Sequence, residues 1–168
     1  MADDDRSSTI TLDGLDDSRR AWLDLLDGMR RVLYLYTPLV RPELYNDSDV
    51  LAAIRTRVVS QPRVRLHLLL PPARHWRNAC PGLVRLSERL TSALILRTPN
   101  LEEMLDRPEL GQAFAIADER VLLRFSDPRR LLGAYEPQPS ERMKELLELF
   151  RRVWDRAQPD PDLQRLGI

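Results

Sequence analysis

Two rhythms organise the chain. Trp22, Leu26 and Met29 recur at helical spacing within residues 17–29 and predict an amphipathic helix. Val32 to Tyr36 then run almost unbroken apolar, aromatic and β-branched until Pro38, the pattern of a central strand covered on both faces. Val50, Leu51, Ile54 and Val58 mark a second helix over residues 46–60, which Asn46 or Asp47 can cap. Past Pro62 the period drops to two: Val64, Leu66, Leu68 and Leu70 share one face of a strand, and Arg65, His67 and Leu69 share the other. Pro81 suits the first turn of a third helix that turns Leu83, Leu86 and Leu90 inward. Residues 93–99 read as a third strand and residues 101–110 as a helical or irregular insertion. Two apolar runs, Ala113 to Ala117 and Val121 to Phe125, flank a polar Asp118-Glu119-Arg120 and predict a β-hairpin, and "LLGAYE" can add a short strand. Met143, Leu146, Leu147, Phe150 and Trp154 define a last helix over residues 140–157, with Ser140 as its cap.

At the ends, "TITL" (residues 9–12) alternates like an edge strand, residues 1–8 read as a flexible N-terminus, and residues 158–168 read as a tail. Strands alternating with helices imply one α/β domain over residues 9–157, with a mixed, mostly parallel sheet and helices on both faces. Ligands of such sheets sit beyond the carboxyl ends of the strands. Those ends lead into Thr37 to Asn46, Pro71 to Cys80 and Arg97 to Asn100.

Composition narrows the chemistry. The 26 basic residues balance 26 acids, so no global field draws the chain to nucleic acid or anionic lipid. Lys144 is the only lysine; arginine supplies the rest of the positive charge. A lone Cys80 gives neither a disulfide framework nor a cysteine metal site, and no histidine spacing suits a metal. No glycine-rich phosphate loop is present, so no cofactor is expected. The acidic start lacks the order of a signal peptide, and no apolar run approaches a membrane span, so the expectation is a cytoplasmic protein with no membrane partner.

His67, mid-strand, reads as a structural histidine. His75 lies in "PPARHWRNAC" at the sheet's carboxyl edge, among Arg74, Trp76 and Arg77. Arginine can hold phosphate and tryptophan can stack on a base, so this loop is a candidate ligand site; its alternative is an exposed loop with Trp76 packed inward. Arg124, Arg129 and Arg130 beside the hairpin exit can form an anion-binding edge or stay solvated.

Three stretches, "MRRVLYLYTPLVRPE", "VRLHLLLP" and "LFRRVWDRA", together with the order of elements, resemble one half of a phospholipase D-like domain over residues 15–157. The chain is also similar to a small bacterial family of this type, some members of which are fused to acetyltransferases. In active relatives a His-x-Lys-x4-Asp motif starts on a strand, the His forming a phospho-enzyme and the Lys holding phosphate. Placing the acid on Asp118 puts Gly111 at the His position and Ala113 at the Lys position. A one-residue slide gives Gln112, Phe114 and Glu119, and Arg124-Phe125 stands where a Gly-Ser step is common. The resemblance therefore implies a phospholipase D-like half with a degraded motif, a pseudoenzyme that acts as a binding or regulatory module. It also implies a homodimer, since two halves meet in the enzymes. A phosphate-containing ligand, nucleic acid or protein partner would occupy a cleft of Thr37, Arg74, His75, Trp76, Arg77, Asp118 and Arg124. Two other classes stay open: a phosphodiesterase or nuclease with His75 as a displaced nucleophile, and an unrelated small α/β enzyme.

Overall fold

The computed structural model describes residues 8–164. The expected flexible N-terminus, apart from Ser8, and the last four residues of the tail lie outside the described residues. Seven strands, β1 (Ile10–Asp13), β2 (Val32–Tyr36), β3 (Arg65–Leu69), β4 (Leu94–Arg97), β5 (Ala113–Ala117), β6 (Val121–Asp127) and β7 (Leu132–Glu136), form one sheet in the order β1-β7-β6-β5-β2-β3-β4. The helices are α1 (Leu15–Gly28), α2 (Pro42–Tyr45), α3 (Ser48–Ser60), α4 (Pro81–Arg89), α5 (Leu101–Asp106), α6 (Glu141–Arg156) and α7 (Pro161–Gln164).

The sheet is mixed, as expected, but its balance needs correcting. β2 pairs in parallel with β3, and β3 with β4. The β5–β2, β5–β6, β6–β7 and β7–β1 pairings are antiparallel. Only β5 and β7 run against the other strands, so most strands share a direction while most pairings are antiparallel. Helical crossovers connect β1 through β4, whereas a tight hairpin and a short turn connect β5, β6 and β7. That difference in connection is what makes the pairings differ.

Period two divides the strands cleanly. Leu33, Leu35, Leu66, Leu68, Ala113, Ala115, Ala117, Leu123 and Phe125 face α1, α3 and α4. Tyr36, Leu69, Phe114, Ile116 and Leu122 face α6. The three β5 alanines leave room for α1 to lie close over the hairpin strands. Asp47 caps α3 by accepting from the Asp49 and Val50 amides, and Ser140 caps α6 by accepting from Met143.

Residues 158–163 are anchored at particular points and do not form a loose tail. Gln158 bridges to Thr98, and buried Asp160 accepts from the Ala73 amide at 2.7 Å and the Thr98 hydroxyl at 3.3 Å. The Pro and Asp composition suggested disorder, but these polar groups, with Leu163 packed against the main core, anchor the segment. Among the described residues, no helix is long and apolar enough to cross a membrane.

Candidate functional site

The carboxyl ends of β2, β3 and β4, the entry to β5 and the exit of β6 all lie along one edge of the sheet. Thr37 ends β2 there. It is buried, its amide donates to Leu69 O at 3.2 Å, and its hydroxyl donates to Leu39 O at 2.6 Å. That hydroxyl shapes the loop and has no donor left over for a ligand.

Pro71 and Pro72 stop β3, and a single 3-10 turn, Ala73–His75, follows. Arg74 and His75 are exposed on it, and Arg77 is half-buried. Trp76 is only 3% exposed and its Nε1 donates to Pro71 O at 2.8 Å. Its ring is therefore core and offers no open face to a base, which corrects its place in the candidate set. Burial, and secondarily Glu43, push the Cys80 thiol up to about 11, so Cys80 is no nucleophile at neutral pH.

Arg74 and Arg156 stand over a cleft of about 460 Å3 lined also by Thr98, Asn100, Gln158 and Asp160. Among the described residues Arg74 makes no side-chain hydrogen bond or ion pair. Arg156 lies 3.9 Å from the Glu103 carboxylate. Farther along the edge, Arg41 holds Glu43 at 3.1 Å and also donates to the Arg129 carbonyl. It thereby ties the β2 exit to the β6–β7 turn, where Arg129 and Arg130 are exposed and Asp127 accepts from both of their amides. Sequence reasoning missed Arg41 and Arg156. Arg41 follows β2 and Arg156 is the last residue of α6, and that position at the carboxyl end of a recognised element was the available signal.

Asp118 and Arg124 are not part of this edge. Asp118 and Glu119 take φ of 54° and 55°, and Arg120 N donates to Ala117 O at 3.0 Å, so the hairpin closes in a type I′ turn. That turn sits at the opposite end of the sheet, where the Asp118 amide donates to Val32 O at 2.8 Å. The Asp118 carboxylate accepts from the amides of Arg30, Arg31 and Val32 at 2.7, 2.8 and 2.9 Å. It fastens the α1–β2 junction. Arg124 faces the α6 side and pairs with Glu136 at 3.2 Å, both partly buried.

Gly111 and Ala113 do lie at the carboxyl edge, where β5 begins. Gly111 is exposed, and a Cβ on it would meet nothing within 4 Å. Ala113 is 1% exposed, packed in the main core. Of the two histidines, His67 sits mid-sheet on the α6 side. It stacks on Tyr34 at 5.4 Å and meets Trp154 edge-on at 5.0 Å. Burial, then Arg97 and Arg65, hold its pKa below the ordinary value, so it is a neutral ring at pH 7. Neither histidine bonds a carboxylate among the described residues. No group of three or more His, Cys, Asp or Glu that could hold a metal occurs among the described residues.

Comparison with known proteins agrees with this architecture. A family model described as "Domain of unknown function (DUF7931)" matches residues 14–166. No curated protein matches the sequence. Three solved structures share the fold at low identity. NucT from Helicobacter pylori has a TM-score of 0.61 at 11% identity, covering 90% of this chain and 97% of its own. Nuc from Salmonella typhimurium, a phospholipase D family member, has 0.57 at 14%, covering 90% and 98%. TrmBL2, an archaeal chromatin protein with a novel mode of DNA binding, has 0.62 at 13%; the match covers 90% of this chain and 54% of TrmBL2, so the chain spans about half its length. The fold is thus phospholipase D-like.

Proposed function

The chain belongs to the DUF7931 family, and we propose that it is a non-catalytic phospholipase D-like module that binds a phosphate-bearing ligand along its arginine-lined carboxyl edge, working as a homodimer. One observation carries the reading: at the two positions where the resemblance places a nucleophile and its phosphate-holding amine, this chain has Gly111 and the buried methyl of Ala113. Neither residue can attack phosphorus or neutralise it. Binding needs less. Exposed Arg74, Arg129 and Arg130 can contact phosphate without an activated nucleophile. TrmBL2's DNA binding and the arginine edge make nucleic acid the ligand to try first. The homodimer follows from the resemblance, in which two such halves meet.

The test is anisotropy of labelled single-stranded DNA and RNA across a salt series. Affinity is expected to fall with salt, and to fall further for Arg74→Glu and for an Arg129→Glu, Arg130→Glu double variant. Salt-insensitive or absent binding refutes the nucleic-acid reading and points to a protein partner. The rival reading, His75 as a displaced nucleophile, draws on the exposure of that ring at the carboxyl edge. Turnover of bis-(p-nitrophenyl) phosphate that disappears in His75→Ala would establish it and overturn the non-catalytic one. A monodisperse monomer in light scattering at micromolar concentration removes the dimer.

A further inference from the structure

On the face away from the sheet, α3 and α4 lie side by side and leave a groove of about 920 Å3 between them. Leu51, Leu86 and Leu90 form its floor, and Ala52 and Val59 line the α3 wall. Residues 48, 52, 55 and 59 recur at three- and four-residue steps on α3, as do 82, 86 and 90 on α4, so each helix turns one face to the groove. Gly82 lets the helices close at one end. A Cβ there would lie 2.6 Å from Leu51 Cδ1 and 2.9 Å from Asn46 Oδ1. At the other end Val59 is 68% exposed, which is costly for a β-branched apolar side chain with nothing over it.

The rim is what selects the occupant. Arg55, Arg85 and Arg89 border the groove, and no acidic residue lines it. Among the described residues the side chains of these three arginines make no hydrogen bond or ion pair, so all three guanidiniums are available to carboxylates. Arg85 and Arg89 stand one turn apart on α4, and Arg55 stands across from them on α3.

We propose that this groove is a docking site for an acidic amphipathic helix of a partner protein. The guest's apolar stripe would lie on Leu51, Leu86 and Leu90, beside Val59. Its carboxylates would flank that stripe on both sides, facing Arg85 and Arg89 on one side and Arg55 on the other. The 9 residues of α4 limit the two-walled part of the trough to about 14 Å, room for two to three turns of guest helix. A lipid chain suits the arrangement less well, because one head group cannot meet arginines on both rims. The site is separate from the carboxyl edge and independent of what binds there.

The probe is a labelled synthetic helix of Leu, Ala and Glu with one apolar stripe, and a twin with Lys in place of every Glu. The acidic helix is expected to bind saturably, more weakly as salt rises, and to shift amide signals of α3 and α4. Arg85→Glu and Val59→Asp are each expected to weaken it tenfold or more. Both replace exposed side chains, and circular dichroism checks that each variant is folded; Arg89→Glu serves if one is not. Five results would each overturn the proposal: equal binding of the Lys twin, shifts confined to other elements, no saturable binding below about 1 mM, the same signals moving with protein concentration alone, or phosphatidylglycerol vesicles displacing the acidic helix. The fourth result would make the occupant a second copy, and the fifth an anionic membrane.

Discussion

Asp118 is where the reading of the hairpin meets a measurement. Its carboxylate accepts three backbone amides while its own backbone sits at a φ of 54°. The three bonds lie near the surface, where water competes for the carboxylate, so each is set at about 1 kcal/mol, the central value for an ordinary hydrogen bond and below the range for buried charged acceptors. Asp118→Ala removes all three and adds about 1 kcal/mol for a Cβ residue in the left-handed region that lacks a locally bonding side chain. The sum is about 4 kcal/mol. Asp118→Gly loses the same bonds but relieves the backbone, for about 3 kcal/mol. Asp118→Asn keeps an acceptor oxygen and tolerates the backbone, for about 1 kcal/mol. At this chain length 1 kcal/mol moves the midpoint by about 2–4 °C, so thermal and urea unfolding resolve the order Ala, Gly, Asn. Folded Asp118→Asn should bind any carboxyl-edge ligand as the parent does. Asp118→Ala within about 0.5 kcal/mol of the parent, a level easily separated from the expected loss, would refute the claim that this acid is a fastener. So would loss of ligand binding by folded Asp118→Asn.

Gly133→Ala should be among the most damaging single changes. The new Cβ would overlap the Arg124 carbonyl oxygen and lie 2.8 Å from Phe125 Cα, so urea unfolding should show a loss of about 3 kcal/mol or more. Asp160→Ala strands the Ala73 amide and the Thr98 hydroxyl and should cost about 1–3 kcal/mol; limited proteolysis should then cut after Ala157, where the parent resists. For His67, folding depresses the pKa of a base, so the folded state favours the neutral ring. Stability is therefore full above the ordinary value of 6.5 and falls as pH drops below it. His67→Phe should flatten that part of the midpoint-versus-pH curve, and an unchanged slope would remove His67 as its source.

The legible parts of the fold were those written in periodicity. Residues 32–36 and 113–117 coincide with β2 and β5, and the opposite faces of Arg65, His67 and Leu69 against Leu66 and Leu68 hold in the packed sheet. Local rules also gave the Ser140 cap and narrowed the α3 cap to Asn46 or Asp47, of which Asp47 is the one. Periodicity says nothing of side-chain partners, whether near in sequence or far. Arg124 Nε donates to Glu136, and the Thr37 hydroxyl donates to Leu39 O only two residues on. Asp118 reads as the motif acid and a cleft residue until the α1–β2 junction, 86 to 88 residues away, is brought against it. Trp76 sits among polar neighbours, and only its bond to Pro71 O and its burial reveal it as core. Residues 158–163 dock through the Gln158–Thr98 bridge, the buried Asp160 carboxylate and Leu163, in a stretch whose composition reads as disorder-promoting.

Packing also separates the two positions at which the resemblance places a His and a Lys. They differ in kind. At Gly111 a side chain has open space, so Gly111→His should fold with a change within about 1 kcal/mol. At Ala113 the methyl is sealed beneath the α1 layer and β5 pairs it with Phe125. An ammonium placed there is cut off from water unless the stem reaches the edge, and an unpaired buried charge costs about 3 kcal/mol or more. Ala113→Lys should therefore unfold at lower urea, and its deficit should shrink as pH rises toward the ordinary lysine value of about 10.4, because the neutral amine is the form the core tolerates. A pH-independent deficit would instead mean that steric bulk, not charge, is excluded. If Ala113→Lys proves as stable as Gly111→His, the core does not guard this position. The double variant would then be the direct way to ask whether an imidazole and an amine alone return phosphodiester cleavage to this sheet.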